Sequence, residues 1–118
     1  MWLGDIESDF LDKVKDEINF ERVDILFAPH HGRKSGKISE DILKIIDPKL
    51  IIIGEAPSKH LNYYNNYNTI TQNSSKDIIF ECEKHNVHIY VTAPNYSVEF
   101  LQNKNKKTFE NYIGTLEV

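Results

Sequence analysis

The chain has 118 residues, 40% of them hydrophobic and 27% charged, which is the composition of an ordinary folded domain and not of a disordered or fibrous one. Its net charge of −4 sets it apart from a generic nucleic-acid-binding module, which is basic overall, while leaving room for a local basic patch. The single Cys82 has no partner for an internal disulfide, and no stretch has the length of a membrane span or the pattern of a signal peptide. The expectation is one soluble, cytoplasmic domain over residues 1–118, long enough to bury roughly two-thirds of the surface its unfolded form exposes.

In chain order, Met1-Trp2-Leu3 reads as the last residues of a strand whose beginning and partners lie elsewhere. From Asp5 onward Ile6, Phe10, Leu11, Val14 and Ile18 recur at helical spacing, with Asp5, Glu7 and Asp9 in a first turn that favours negative charge, and Asn19 closes the helix. Val23 to Pro29 is an apolar, β-branched and aromatic run stopped by proline, and it reads as a buried strand. At its end stand His30-His31-Gly32 and the basic loop Arg33-Lys34-Ser35-Gly36-Lys37. Ser39 is a good N-cap for a short helix with Ile42, Leu43, Ile45 and Ile46 on its apolar side, ended by Asp47-Pro48. Leu50–Ile53 is a second buried strand, stopped by Gly54.

This alternation of strand and helix marks an α/β layered fold with at least one parallel pair. From Glu55 to Asn73 there is no clean periodicity, and a loop of that length in a compact chain is more often functional than idle. Ser74 or Ser75 then predicts a helix through Ile78, Ile79 and Cys82 to about His85. Val87–Val91 alternates as a strand, Pro94-Asn95 makes a turn, and Tyr96 to Leu101 returns as its antiparallel partner. For residues 104–118 the pattern does not separate a helix from an edge strand.

The ends of buried strands are where α/β proteins build sites. Asp5 follows one strand, His30 and His31 a second, and His60 a third. If those strands are neighbours, three potential ligands for zinc, manganese or iron converge on one edge. Asp5 has the alternative reading of a helix cap, and each histidine that of a hydrogen-bonding loop residue. Two adjacent histidines on a strand point to opposite sides, so at most one of the pair would be a ligand, for which His30 is favoured. His31 is then a supporting partner or proton donor.

Gly4-Asp5, a helix, the strand Val23 to Pro29, His30-His31-Gly32 and a basic, serine-containing loop together resemble the C-terminal half of a metallo-β-lactamase-fold domain. The likeness is to those of the DNA-uptake competence protein family, and it covers roughly residues 1 to 93. It implies half of a four-layer αββα sandwich, with a mixed sheet and flanking helices. It also implies a metal-dependent hydrolase with two zinc or manganese ions in the complete domain. On this likeness Asp5 bridges the ions, His30 is a metal ligand, and His31 and His60 serve the chemistry. Arg33, Lys34, Lys37 and Tyr63, with Tyr64 or Tyr67 as alternatives, would hold a phosphodiester or nucleic-acid substrate.

Two departures touch the substrate: Arg33 stands where serine is common, with Ser35 two further on, and the His60 loop is rich in Asn and Tyr. The family's His-x-His-x-Asp-His signature is absent from these residues, so the chain alone is not expected to be active. An uncovered apolar sheet face would then drive a homodimer or association with the missing N-terminal half. The competing readings are a non-catalytic interaction or scaffold domain and a nucleotide-binding module. The second fails on spacing: three residues rather than four separate Gly32 from Gly36, and Ile38 follows Lys37 where serine or threonine is needed.

Overall fold

In the computed structural model, which describes residues 1–118, the run after Asp24 forms strand β1 (Ile25–Phe27) and Leu50–Ile53 forms β2 beside it. A third strand, β3 (Thr69–Thr71), pairs with the other edge of β2, and both pairings are parallel. β2 is therefore the central strand. All four of its residues are at most 3% exposed, which explains why it carries no alternating pattern. The second sheet is antiparallel and contains β4 (Ile78–Glu83), β5 (Asn86–Val91) and β6 (Tyr112–Glu117) in that order. The protein is thus a mixed α/β chain, but the single mixed sheet expected from the sequence is two separate three-stranded sheets. They fall in two compact units, residues 1–71 and 72–118.

In the first unit, helix α1 (Ser8–Val14) is shorter than the spacing predicts, giving way to a tighter turn over Lys15–Glu17. Of its residues only Leu11 is fully buried, while Phe10 and Ile18 are exposed, so one turn of apolar spacing is all that the core uses. Helix α2 (Glu40–Ile46) follows the expectation closely. Ser39 stands at its N-cap and the acidic Glu40 and Asp41 in its first turn. Asp47 ends it in a left-handed conformation before Pro48. Ile42, Leu43 and Ile46 of α2 pack with Leu26, Ile38, Ile51, Ile53, Leu11 and Tyr64 in one core cluster. Tyr64 belongs to that core and not to a substrate groove: its hydroxyl accepts the Ile38 N–H at 3.2 Å, and burial raises its pKa.

In the second unit, two expectations are corrected. Ile78 to Glu83 is not a helix. After α3 (Gln72–Ser75) the chain turns through left-handed Lys76 and restarts as β4, hairpinned to β5 across Lys84-His85. The apolar positions 78, 79 and 82 suit a helix, but the β-branched pair, Phe80 and a full six-residue cross-strand partner decide for a strand. Nor is Tyr96 to Leu101 the partner of β5. That place is taken by β6, while the earlier segment meets the sheet only at the bridge Gln102–Thr115.

Residues 104–108 lie over the polar face of this second sheet and are held there by charge. Lys104 bonds Glu117 and Asn86, Lys106 bonds Glu83 at 2.6 Å, and the Thr108 hydroxyl donates to Glu81 at 2.9 Å. Tyr90 also donates to Glu81, at 2.7 Å, and buried His88 lies 3.2 Å from Glu83 without hydrogen-bond alignment. Hydrogen bonding from Tyr90 holds the Glu81 carboxyl below the usual range, and that from Lys106 does so for Glu83. Carboxyls depressed in the folded state stabilise it above their ordinary pKa and lose that contribution as the pH falls through the folded value. The protection of the amides of residues 104–108, with the intrinsic pH dependence of exchange divided out, is therefore expected to fall on acidification through the carboxylate range. Lys106→Met should flatten that acid dependence, and protection that ignores pH in the wild type would refute the account.

The open apolar face from which pairing was expected is not found on β2, both of whose sides are buried. Large exposed apolar side chains are scattered instead: Trp2, Phe10, Ile18, Ile45, Ile79 and Phe109.

Candidate functional site

Strands that run parallel all end at the same edge of their sheet. Residues 1–3 join β1 in this direction: the Met1 amine donates to the Ile25 carbonyl at 2.6 Å, the Phe27 N–H to the Met1 carbonyl at 2.9 Å, and Trp2 bridges Phe27. Consequently Gly4-Asp5, Pro29–Gly32 and the segment from Gly54 to His60 all leave the first sheet at one edge. The first two meet directly, since the His30 N–H donates to the Gly4 carbonyl at 3.1 Å.

The two histidines do not alternate about a strand. β1 is already over, although the Ala28 N–H still donates to Ile52 at 2.9 Å, and beyond Pro29 the chain turns left-handed twice. His30 has φ 51° and ψ 38°, and His31 φ 56° and ψ 27°. Two successive non-glycine residues in this region cost of order 1–2 kcal/mol each and persist only where their surroundings impose them.

Those surroundings are visible. A Cβ on Gly36 would come within 2.7 Å of the Pro29 carbonyl oxygen and 2.8 Å of His30 Cβ. One on Gly54 would come within 2.6 Å of His31 Nδ1. The absence of side chains at 36 and 54 thus lets the turn close on His30 and lets the His31 ring rest on the end of β2.

A second set of contacts ties down the basic loop. Ser8, in the first turn of α1, lies within 2.8 Å of the Lys37 carbonyl and 3.0 Å of that of Ser35. Ser35 in turn places its hydroxyl 2.8 Å from His30 Nδ1. Beside this loop is a cleft of about 500 Å³ lined by Glu7, Ser8, Asp9, Arg33, Lys34, Ser35 and His60. Its walls carry both signs of charge, two carboxylates with a guanidinium and an ammonium, together with an imidazole.

Of the residues singled out by sequence, Arg33, Lys34 and His60 share this cleft, while Asp5, His30, His31, Lys37 and Tyr63 are not among its walls. Tyr63 packs against the core and approaches His60, its hydroxyl 3.4 Å from Nδ1. Lys37 is half-buried, and the Tyr67 hydroxyl donates to Glu40 at 3.4 Å. Glu7, Ser8 and Asp9 were legible only as a helix start, because nothing local announces that α1 begins beside the loop after β1.

No three His, Cys, Asp or Glu side chains are gathered closely enough to hold a metal ion. The chain's own residues therefore do not build the complete centre that the resemblance implies. Asp5 follows Gly4, whose carbonyl accepts the His30 N–H, so Asp5 and His30 are neighbours along the backbone. Comparison with protein-family models, with curated proteins and with solved structures finds no match.

Proposed function

We propose that residues 1–71 carry one half of the active site of a metal-dependent hydrolase of the metallo-β-lactamase type, acting on a phosphodiester. Asp5 and His30 would contribute to a zinc or manganese site whose remaining ligands are supplied by residues other than these 118. His31 and His60 would be available for proton transfer, and Arg33 and Lys34 would hold the phosphate. The observation that supports this reading is the parallel sheet edge. It collects Gly4-Asp5, Pro29–Gly32 and the His60 loop, and the Gly4 carbonyl and His30 N–H join the first two. Arg33, Lys34 and His60 line one cleft, where they would meet an anionic substrate beside the carboxylates of Glu7 and Asp9.

The test is calorimetric titration of zinc and of manganese into the chain, with Asp5→Ala and His30→Ala beside the wild type. Weak binding that falls about tenfold or more in each variant is expected, with no hydrolysis of a phosphodiester by the chain alone. Binding that both variants retain, or hydrolysis of a phosphodiester by the chain alone, would overturn the proposal.

A further inference from the structure

His88 and Thr115 stand opposite one another on β5 and β6, each 1% exposed, and Glu81 is the partner of His88 on β4. His88 Nδ1 lies 2.6 Å from the Thr115 hydroxyl, which lies 2.5 Å from the Tyr112 hydroxyl. Tyr112 reaches the segment that crosses this face. Its hydroxyl accepts the Lys104 N–H at 3.1 Å and stands 3.3 Å from the Gln102 carbonyl. On the other side of the ring, Nε2 is buried without a hydrogen bond, 3.2 Å from Glu83 Oε2, while Glu83 Oε1 takes Lys106. A line of hydroxyls thus runs from a buried imidazole to residues 102–104, and a carboxylate stands between the ring's other nitrogen and Lys106.

The direction of this line follows from counting its protons. A lone pair on Nε2 would face a carboxylate oxygen, so in the neutral ring Nε2 carries the hydrogen and Nδ1 accepts. Thr115 must then donate to Nδ1, Tyr112 to Thr115, and the Lys104 N–H to Tyr112. A charged ring carries Nδ1–H as well, and the Thr115 hydroxyl then accepts from it. Thr115 must now donate to Tyr112, and Tyr112 to the Gln102 carbonyl, whose other lone pair takes the Thr115 N–H at 2.8 Å. The face holds an acceptor for either direction. Glu83 and Glu81 of β4 are the carboxylates beside the ring, and the nearby ammoniums are each paired, Lys106 with Glu83 and Lys104 with Glu117.

We propose that His88, Thr115 and Tyr112 form a proton-sensitive relay. When the buried imidazole gains a proton from solvent, the Thr115 and Tyr112 hydroxyls reverse and deliver the change to Gln102 and Lys104. No proton passes between residues, because each hydroxyl hydrogen turns about its own C–O bond. The relay lies within residues 72–118 and is independent of the hydrolase reading, which concerns residues 1–71.

The test is an NMR titration of the 118-residue chain from about pH 5 to 8, the interval in which an imidazole ordinarily changes charge. Neutral His88 is expected in the Nε2–H form. The Gln102 carbonyl-carbon and Lys104 amide shifts should follow the His88 ring with the same midpoint. In Tyr112→Phe and in Thr115→Val the ring should still titrate while both shifts lose most of that dependence. A neutral His88 in the Nδ1–H form, a His88 that keeps one charge state throughout, or wild-type Gln102 and Lys104 shifts that ignore it would each overturn the proposal. Shifts that still follow His88 in Tyr112→Phe would do so too, since the ring charge acting through space, and not the hydroxyls, would then carry the change.

Discussion

Ile53→Ala is expected to lower the stability of the first unit by about 2–5 kcal/mol and, with it, to release the histidine turn. Ile53 is 1% exposed and packs in the cluster formed by Leu26, Ile51, Ile38 and the apolar side of α2. Removing its outer carbons leaves a cavity that neighbours on rigid elements fill only partly. The second consequence is local. A Cβ on Gly32 would lie 2.8 Å from the γ2 methyl of Ile53, so this methyl is the floor on which the end of the turn rests. His30 and His31 hold left-handed conformations because their surroundings enforce them, and the alanine variant takes one of those surroundings away.

Ile53→Val separates the two effects, since it removes only the δ methyl. It should cost about 0.5–1.5 kcal/mol and leave the turn in place. Urea midpoints at unchanged slope report the first effect, and amide exchange at His31 and Gly32 the second. Equal exchange in both variants would show that the floor does not govern the turn.

The sequence was most informative where one physical requirement dominates. Leu50–Ile53 is apolar throughout because a central parallel strand is covered on both sides, and no helix of four residues ending at glycine competes with that reading. α2 was legible from Ser39, the acidic first turn and Asp47-Pro48, each tied to a helix end. The common edge of Gly4-Asp5, the histidines and His60 follows from strand direction alone, once the strands are parallel neighbours.

The rest depended on partners distant in sequence. Thr69–Thr71 is short and half polar, and becomes a strand only because β2 has a free edge. The spacing of Ile78, Ile79 and Cys82 serves a helix as well as a strand, and Lys76 and the hairpin to β5 settle it. β6 won its place from Tyr96–Leu101 by forming five residue pairs with β5, from the far side of a polar stretch. The left-handed histidines had no signature of their own, since neither is glycine or asparagine. The glycines that make room for them, at 36 and 54, are apart from them in sequence and gain meaning only in three dimensions.

Gly54→Ala should therefore act on His31 without acting on its own backbone. Gly54 is not among the residues with positive φ, so alanine meets no conformational penalty there and would by itself gain about 0.4–1 kcal/mol through the unfolded state. Its methyl group, however, would come within 2.6 Å of His31 Nδ1 and 3.0 Å of Cβ and Cγ, contacts that cannot be kept. His31 is exposed, so its ring has solvent to turn into, and the clash is expected to resolve by expelling the imidazole rather than by distorting β2. The stability change should then stay within about 1 kcal/mol, below the 1–3 kcal/mol typical of an overpacked core.

The chemical effect is the larger one. If His31 transfers a proton in the complete enzyme, moving its ring should cost roughly 10²–10⁴-fold in rate and match His31→Ala, although the imidazole is still present. In the chain alone, the His31 ring resonances should shift to solvent-exposed values while those of His30, bonded to Ser35, stay in place. A variant whose His31 spectrum equals the wild type would show that the ring does not rest on Gly54. A fall in stability well beyond 1 kcal/mol would show that the strand, and not the ring, gives way.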